Sequence, residues 1–562
     1  MNYLDWIVLF GTLIFIVLYG ALRTRGSKNI ESYLKGDNSL KWWMIGISIM
    51  ATQASAITFI STPGQAIIDG MRFLQFYFGL PIAMVIISVT MVPIYYRLKV
   101  FTAYEYLESR FDLKTRTLGA ILFLVHRGLA VGITLFAPAL VLSVILNWNV
   151  IVTTAIIGFC VIIYVTLGGT RAVSLTQRQQ MTVIMTGMLL AGFIAFKMLP
   201  DHVTFSDSVA IAGELGKFNL VNLNFDPNDR FNIWSGLLGG TFLFLSYFGT
   251  DQSQVARYLG GRSITESRMG LIFNGLLKIP MQFIILFIGV MVFVFFLFNK
   301  PPVFYNEQLR NRAMEKAPSS ILALENDYNK IYTQKSVAVQ DLVKGLQNDD
   351  ENLVKQSKSS YKAIEQQERD IRTNVKQVIE DNIPGAKTQD SDYIFLNFVM
   401  NHLPNGIVGL LLAVMFSAAM SSMASELNSL ASTTTVDIYK RSFKKEASPK
   451  HYLIASRTFT VMWALIAMTF SILAGFAENL IQFVNIVGSL FYGTILGIFV
   501  AAFYIKRVKG NAVFVSALVA QAIVFYCYFF TKIAFLWYVV IGCLIVVVLA
   551  WIIQTVGGRA SD

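Results

Sequence analysis

MIGISIMATQASAITFISTPGQAIIDG, Met44 to Gly70, has the length and apolarity of a membrane span. Its middle, Ala51-Thr52-Gln53-Ala54-Ser55, is small and polar, and Thr58, Ser61 and Pro63-Gly64 follow. Backbone inside a bilayer keeps its hydrogen bonds unless protein or a water-filled cavity surrounds it. Such a centre therefore implies burial in a bundle, beside something that engages its carbonyls and hydroxyls. An ion or small solute held at mid-membrane is the natural candidate, and close helix packing through small residues is the structural alternative.

The remainder of the chain is of the same kind. Of its 562 residues 55% are hydrophobic and 14% charged, and the mean hydropathy of +0.57 lies far above that of soluble proteins. About thirteen apolar runs of roughly 20 residues recur, each long enough for about 30 Å of hydrocarbon. The chain reads as an all-α integral membrane protein. Acidic Asp5 at the start of the first run argues against a cleaved leader, so that run is read as a retained span. Cys160, Cys527 and Cys543 all fall in apolar runs and suggest neither a disulfide nor a metal framework.

Charge predicts orientation. With the first residue outside, the basic loops at Arg23 to Lys41, Arg97 to Arg116, Arg171 to Arg178, Arg257 to Arg268, Lys440 to Lys450 and Lys506 to Lys509 all face the cytoplasm. The carboxyl terminus is then inside, in a plasma membrane or, for a Gram-negative cell, the inner membrane. Pro301 to Ser391 lies outside and carries 13 Lys and Arg against 14 Asp and Glu. The formal net charge of +12 thus belongs to the rest of the chain and signals topology, not nucleic-acid binding. Within this insertion Ile321, Leu324, Tyr328 and Ile331, and again Ile364, Ile371, Val375 and Val378, recur at helical spacing. Gly345 and Gln347 to Asp350 suggest a turn, so a helical hairpin is expected, serving as a solvated lid or spacer or as a surface for an extracytoplasmic partner.

Functional polarity is concentrated in few spans. Ser417 to Ser425 in the span after the insertion sets hydroxyls at helical spacing, and Ser421 and Ser422 are placed to meet the opened carbonyls of Ala51 and Ala54. A hard cation wants about five or more oxygens, which a backbone break beside two serines would supply; a serine-rich packing seam is the alternative. Arg127, in ILFLVHRGLAVG, is too deep to snorkel. Asp251 and Glu478 lie near span ends, and Glu426 is well inside one. Either an anionic substrate or Glu426 would meet the guanidinium, which holds a carboxylate bidentately. Lys278, in FNGLLKIPMQ, is read as a stabilised or snorkelled lysine rather than a ligand.

Several stretches together, ATQASAITFISTPG, FTAYEYLESRF, TLGGTRAVSLTQRQQ, FGTDQSQVARYL and FSAAMSSMASELNSLASTTTVDIY, resemble the sodium/solute symporter family, which includes sodium/glucose, proline, iodide, monocarboxylate, multivitamin and sialic-acid transporters. The resemblance covers nearly everything except Pro301 to Ser391. It implies an inverted five-helix repeat (LeuT-like) with a broken first helix in each repeat. Residues 1–41 would hold a peripheral first helix and loop, 42–198 the first repeat, 199–231 an outer loop, 232–300 the start of the second repeat, 301–391 the insertion, 392–502 the rest of the repeat, and 503–562 two peripheral helices and a tail. It further implies sodium held by the carbonyls of Ala51, Ala54 and Ala418 and the hydroxyls of Ser421 and Ser422. The solute would lie beside Gln53, Ser55, Thr58, Phe73, Tyr77, Arg127, Tyr247 and Asn485.

Departures narrow the expectation. Sugar transporters of the family carry a carboxylate where Tyr77 stands and an amide at Phe244, which argues against a glucose-like sugar. Members with a second sodium usually have an aspartate after the position of Thr176, where this chain has Gln177. The surroundings of Arg127, Ser55 and Thr58 look more like the monocarboxylate, vitamin and sialic-acid branches. The expected function is sodium-coupled symport of a small organic anion, not enzymatic catalysis. A neutral solute such as inositol, an amino acid or a sugar is the alternative within transport, and a transporter-like sensor or scaffold using the insertion is the alternative outside it.

Overall fold

The computed structural model describes residues 1–23, 40–98, 100–474 and 479–558. Side chains at 16–23, 164, 167–176, 178, 473–474 and 557–558 are outside this description, as are Glu478, Arg559 and most of the basic loop before Lys41. Helices dominate. Helix α1 (Tyr3–Arg23) is followed by a pair, α2 (Trp42–Gln53) and α3 (Ala56–Asp69), split at Ala54–Ser55. The split needs no proline: Ser55 is extended, with φ −78° and ψ 173°, and Pro63 lies inside α3. A 3₁₀ segment (Gly70–Tyr77) leads into α4 (Leu80–Leu98), then α5 (Glu105–Arg110), α6 (Leu113–Leu146) and α7 (Val150–Lys197). After α8 (Phe205–Glu214), a second split pair comprises α9 (Gly240–Gly249) and α10 (Gln252–Leu259); Asp251 sits in the gap and caps α10 by accepting from the Ser253 amide.

Helix α11 (Ile264–Phe298) ends at the insertion, which holds α12 (Glu307–Lys316) and the hairpin α13 (Pro318–Gln347) and α14 (Glu351–Asn382). Then come α15 (Ser391–His402), α16 (Ile407–Thr433) with a π-helical extension, α17 (Pro449–Ala474), α18 (Leu480–Tyr504), α19 (Gly510–Phe530) and α20 (Phe535–Gly558). Among the described residues nine helical runs are long and apolar enough to cross a membrane, and Tyr3–Phe15, Val150–Ile163 and Ser235–Gly249 form shorter apolar helices. The run Val150–Lys197 departs from expectation. Two spans separated at 168–180 were expected, whereas α7 is helical over 48 residues, about 72 Å if straight. Both ends nevertheless meet the insertion: Asn149 and Val150 share a cleft with Asn306 and Gln308, and Gln347 donates to the His202 carbonyl at 2.8 Å.

Distant stretches lock the bundle. Asp5 is buried and its Oδ1 accepts the Gly406 and Gly409 amides at 2.6 and 3.2 Å, tying α1 to the otherwise uncapped start of α16. Gly64 lets α3 touch α15, because a Cβ there would lie 2.6 Å from the Ser391 carbonyl oxygen. Thr102 of the FTAYEYLESRF stretch and Arg116 of α6 meet the π-helical extension of α16, their Oγ1 and Nε donating to Asp437 at 2.7 and 2.9 Å. The hairpin forms as its spacing predicts, turning at Asn348 to Asp350 with Asp349 left-handed at φ 52°. Its buried seam repeats every seven residues, through Ile321, Tyr328, Lys335 and Leu342 on α13 and Tyr361, Glu368 and Val375 on α14.

Candidate functional site

The first split creates the oxygen-rich end of the site. Ala51, Thr52 and Gln53 occupy the last turn of α2, where carbonyls have no partner within the helix. Ser422 of α16 donates its hydroxyl to the Thr52 carbonyl at 3.2 Å, between the Ala51 and Ala54 positions expected for that contact. Ser421 Oγ is buried without a hydrogen-bond partner, as are Ser417 Oγ and Gln53 Oε1. Unpartnered buried hydroxyls and chain-end carbonyls are the kind of oxygen that a small hard cation takes. Gln177 is close by but engaged: it accepts from Ser48 Oγ at 2.6 Å and donates to Thr52 Oγ1 at 3.1 Å. Its amide thus laces α7 to α2 at the position where the resemblance looked for an aspartate.

Beside this corner lies a cavity of about 80 Å³. Gln53, Ser55, Thr58, Tyr77, Arg127, Tyr247 and Asn485 all line it. Phe73, expected with them, does not. The 3₁₀ segment brings residues three apart into register, so Phe73 stacks on Phe76 at 5.5 Å and edges against Phe231, one layer behind the lining. The wall also contains Phe76, Phe244, His126, Tyr492 and Glu426, which the sequence reading did not place there as lining. Ala51, Ala54, Ala418, Ser421 and Ser422 lie outside this lining, while Thr52, whose carbonyl Ser422 engages, belongs to it, so the expected ion corner and the expected solute cavity adjoin at Thr52.

Arg127 is the hub of the cavity. It donates to Glu426 of α16 at 3.0 Å, to Tyr492 of α18 at 2.9 Å and to Asp251 in the second split, with its carbon 5.4 Å from the Tyr247 ring centre. Of the two partners considered from the sequence, Glu426 is engaged. Asp251 is an addition that reading had set at a span end. A Gly-Thr-Asp break within an apolar run, with Ser253 two residues on, was the available signal for Asp251. Lys278 differs from the snorkelled reading: it is fully buried, its Nζ has no hydrogen-bond partner, and it lies 5.6 Å from the centre of the Tyr77 ring. Asn274 and Gln282, one helical turn to either side, also carry unpartnered buried polar atoms.

The end of the cavity that faces the insertion is closed by amides. Gln482 Nε2 donates to Gln65 Oε1 at 2.7 Å, and Arg230 donates to Gln482 Oε1. Gln65 also reaches Asp69, and Asn479 caps α18 while pointing its amide at the Ser61 carbonyl, 3.5 Å away. Asn485, less than one turn further along α18, lines the cavity below.

The sequence pattern of the sodium:solute symporter family matches residues 33–314 and 373–520. The human sodium/iodide cotransporter is 30% identical over 261 residues, 46% of this chain and 40% of that protein, so the match spans less than half of either. Mouse sodium-coupled monocarboxylate transporter 1 is 26% identical over 503 residues, 88% of this chain and 68% of that protein. The sodium/sialic acid symporter of Aliivibrio fischeri is 24% identical over 563 residues, 98% of this chain and 92% of that one. A solved structure of a Na⁺-coupled sialic acid symporter, substrate-bound and outward-open, superposes with a TM-score of 0.76 at 22% identity, over 99% of this chain and 98% of that chain.

Proposed function

Since the chain belongs to the sodium:solute symporter family, whose members are sodium-dependent transporters and not enzymes, we propose that it carries a small organic anion into the cell with sodium by alternating access. The observation that carries the choice of an anion is Lys278, which is fully buried, has no hydrogen-bond partner and lies 5.6 Å from the centre of the Tyr77 ring that lines the cavity. Burying an unpaired ammonium is costly, and an incoming carboxylate would supply the counter-charge that Asp251 and Glu426, both engaged by Arg127, do not. Lys278, without a partner of its own, backs the Tyr77 wall and is the cation best able to respond to the incoming charge. The names of the monocarboxylate and sialic-acid relatives agree with this class.

Sodium would bind at Ala51, Ala54, Ala418, Ser421 and Ser422, and solute at the cavity lining. Two split helices in one bundle support an inverted five-helix repeat within about thirteen spans, rocking about the two gaps. The amino terminus would lie outside and the carboxyl terminus inside, with the insertion outside. A neutral solute is the second reading, favoured by the two carboxylates already on Arg127. Uptake into proteoliposomes separates the two. Sodium-driven accumulation of pyruvate or N-acetylneuraminate that weakens in Lys278→Met supports the anion. Accumulation of inositol or an amino acid, with neither carboxylate taken up, overturns it.

A further inference from the structure

Between the hairpin and the outer ends of α3, α11 and α18 lies a second cavity, of about 500 Å³. Its floor includes Gln65, Asn479 and Gln482, the amides that close the central cavity. Its roof includes Lys335, Tyr361, Glu365, Glu368 and Arg369, which fall in residues 315–372 that the family pattern does not match. The roof of this compartment is therefore built by a stretch outside the family pattern, and its floor by helices inside it.

Its charge is unbalanced. Six cationic side chains line it: Lys217, Arg230, Lys335, Arg369, Arg372 and Lys376. Four carboxylates answer them. Arg369 pairs with Glu365 at 3.3 Å and Lys376 with Asp390 at 2.9 Å. Glu368, however, is shared by Lys335 and Arg372 at 2.7 and 3.0 Å. On the floor Asp69 faces both Lys217 and Arg230, and Lys217 rests on the Ile67 and Ile68 carbonyls, where a cation complements the end of α3. The excess of two positive charges sits in a walled space, where low-dielectric surroundings focus the field.

We infer that the space beneath the hairpin is an outer subsite that receives the carboxylate-bearing solute before the Gln65–Gln482 contact opens. The inference rests on the anion reading of the central site. No oxygen corner like that of Ser421 and the first split is needed here, so occupancy of the outer subsite does not require sodium.

Equilibrium dialysis of labelled pyruvate and N-acetylneuraminate against the purified full-length protein in sodium-free choline buffer tests it. One of the two anions should bind, with affinity reduced about fivefold or more in Arg369→Gln/Lys376→Gln and increased in Glu365→Gln. The opposite signs guard against a variant that merely folds poorly. Absence of choline-buffer binding, or affinity indifferent to both changes, overturns the subsite even where sodium-driven uptake of the same anion proceeds. Failure of sodium-driven uptake of every carboxylate overturns the anion reading itself.

Discussion

Removing the guanidinium of Arg127 would leave Asp251 and Glu426 buried together without a cation, and breaking a buried pair in this way costs about 3–5 kcal/mol. Arg127→Ala should therefore lower the thermal midpoint of the purified protein as well as abolish uptake. The triple change Arg127→Ala/Asp251→Asn/Glu426→Gln should recover much of the midpoint without recovering transport. An unchanged midpoint in Arg127→Ala would remove the hub role. Ser421 offers a milder test: loss of one hydroxyl donor should raise the sodium concentration for half-maximal uptake on the order of tenfold, read from sodium titrations of Ser421→Ala. Lys217 lies in the loop between α8 and α9, and burial pulls its ammonium down to about 8 from the ordinary 10.5. Asp69 and Glu365 face it with opposite charge and Arg369 and Lys335 with like charge. A lysine with a lowered value is cationic below that pH and neutral above it. The apparent affinity for an anion should consequently weaken as external pH rises from 7 to 9, and Lys217→Arg should flatten the profile.

The hairpin is an element whose stability can be examined by itself within the intact protein. At the centre of its seam Lys335 and Glu368 meet at 2.7 Å, both nearly buried. Burial alone would raise the Glu368 carboxyl, but Lys335 and Arg372 outweigh it and hold the group below its ordinary 4.5. A depressed carboxyl contributes stability above the unfolded value and loses it as pH falls through the folded one. Limited proteolysis within 318–382 should accordingly accelerate as the pH falls below the ordinary 4.5 of such a carboxyl, with the transmembrane helices intact. Glu368→Ala should open the hairpin at neutral pH by stranding Lys335 and Arg372, whereas Lys335→Met/Glu368→Leu/Arg372→Met should keep it closed, since apolar side chains can replace a buried ionic cluster with little loss. Equal protease resistance of all three forms would show that the pair sets no register.

For the whole molecule, the summed charge of the load decides what drives it. One sodium with one monoanion moves no net charge and gains nothing from membrane potential, whereas sodium with a neutral solute gains about 2.3 kcal/mol per 100 mV. Uptake in proteoliposomes should thus be insensitive to a potassium diffusion potential imposed with valinomycin. Marked acceleration by an inside-negative potential would favour a neutral solute or a second cation. Parts of this organisation were readable along the chain because they are local. Small polar residues at 51–55 inside an apolar run cannot face lipid, and the spacing of Ile321, Tyr328, Ile364 and Val375 suits only an amphipathic helix. Hydroxyls at Ser421 and Ser422 were readable for the same reason. What lay beyond sequence was set by residues far apart: Asp251 meets Arg127 across 124 positions, and the outer cavity exists only where the hairpin covers Gln65 and Gln482. Phe73 moved out of the lining because a 3₁₀ turn, not an α turn, carries it. Local patterning determined which segments are apolar enough to cross a membrane, where the first split falls and that the insertion is helical, since burial and backbone hydrogen bonding act within a turn or two. Only the packed bundle decided which buried charges answer one another and which, like Lys278, stand alone, because a Coulomb partner is chosen by distance in space and not by position in the chain.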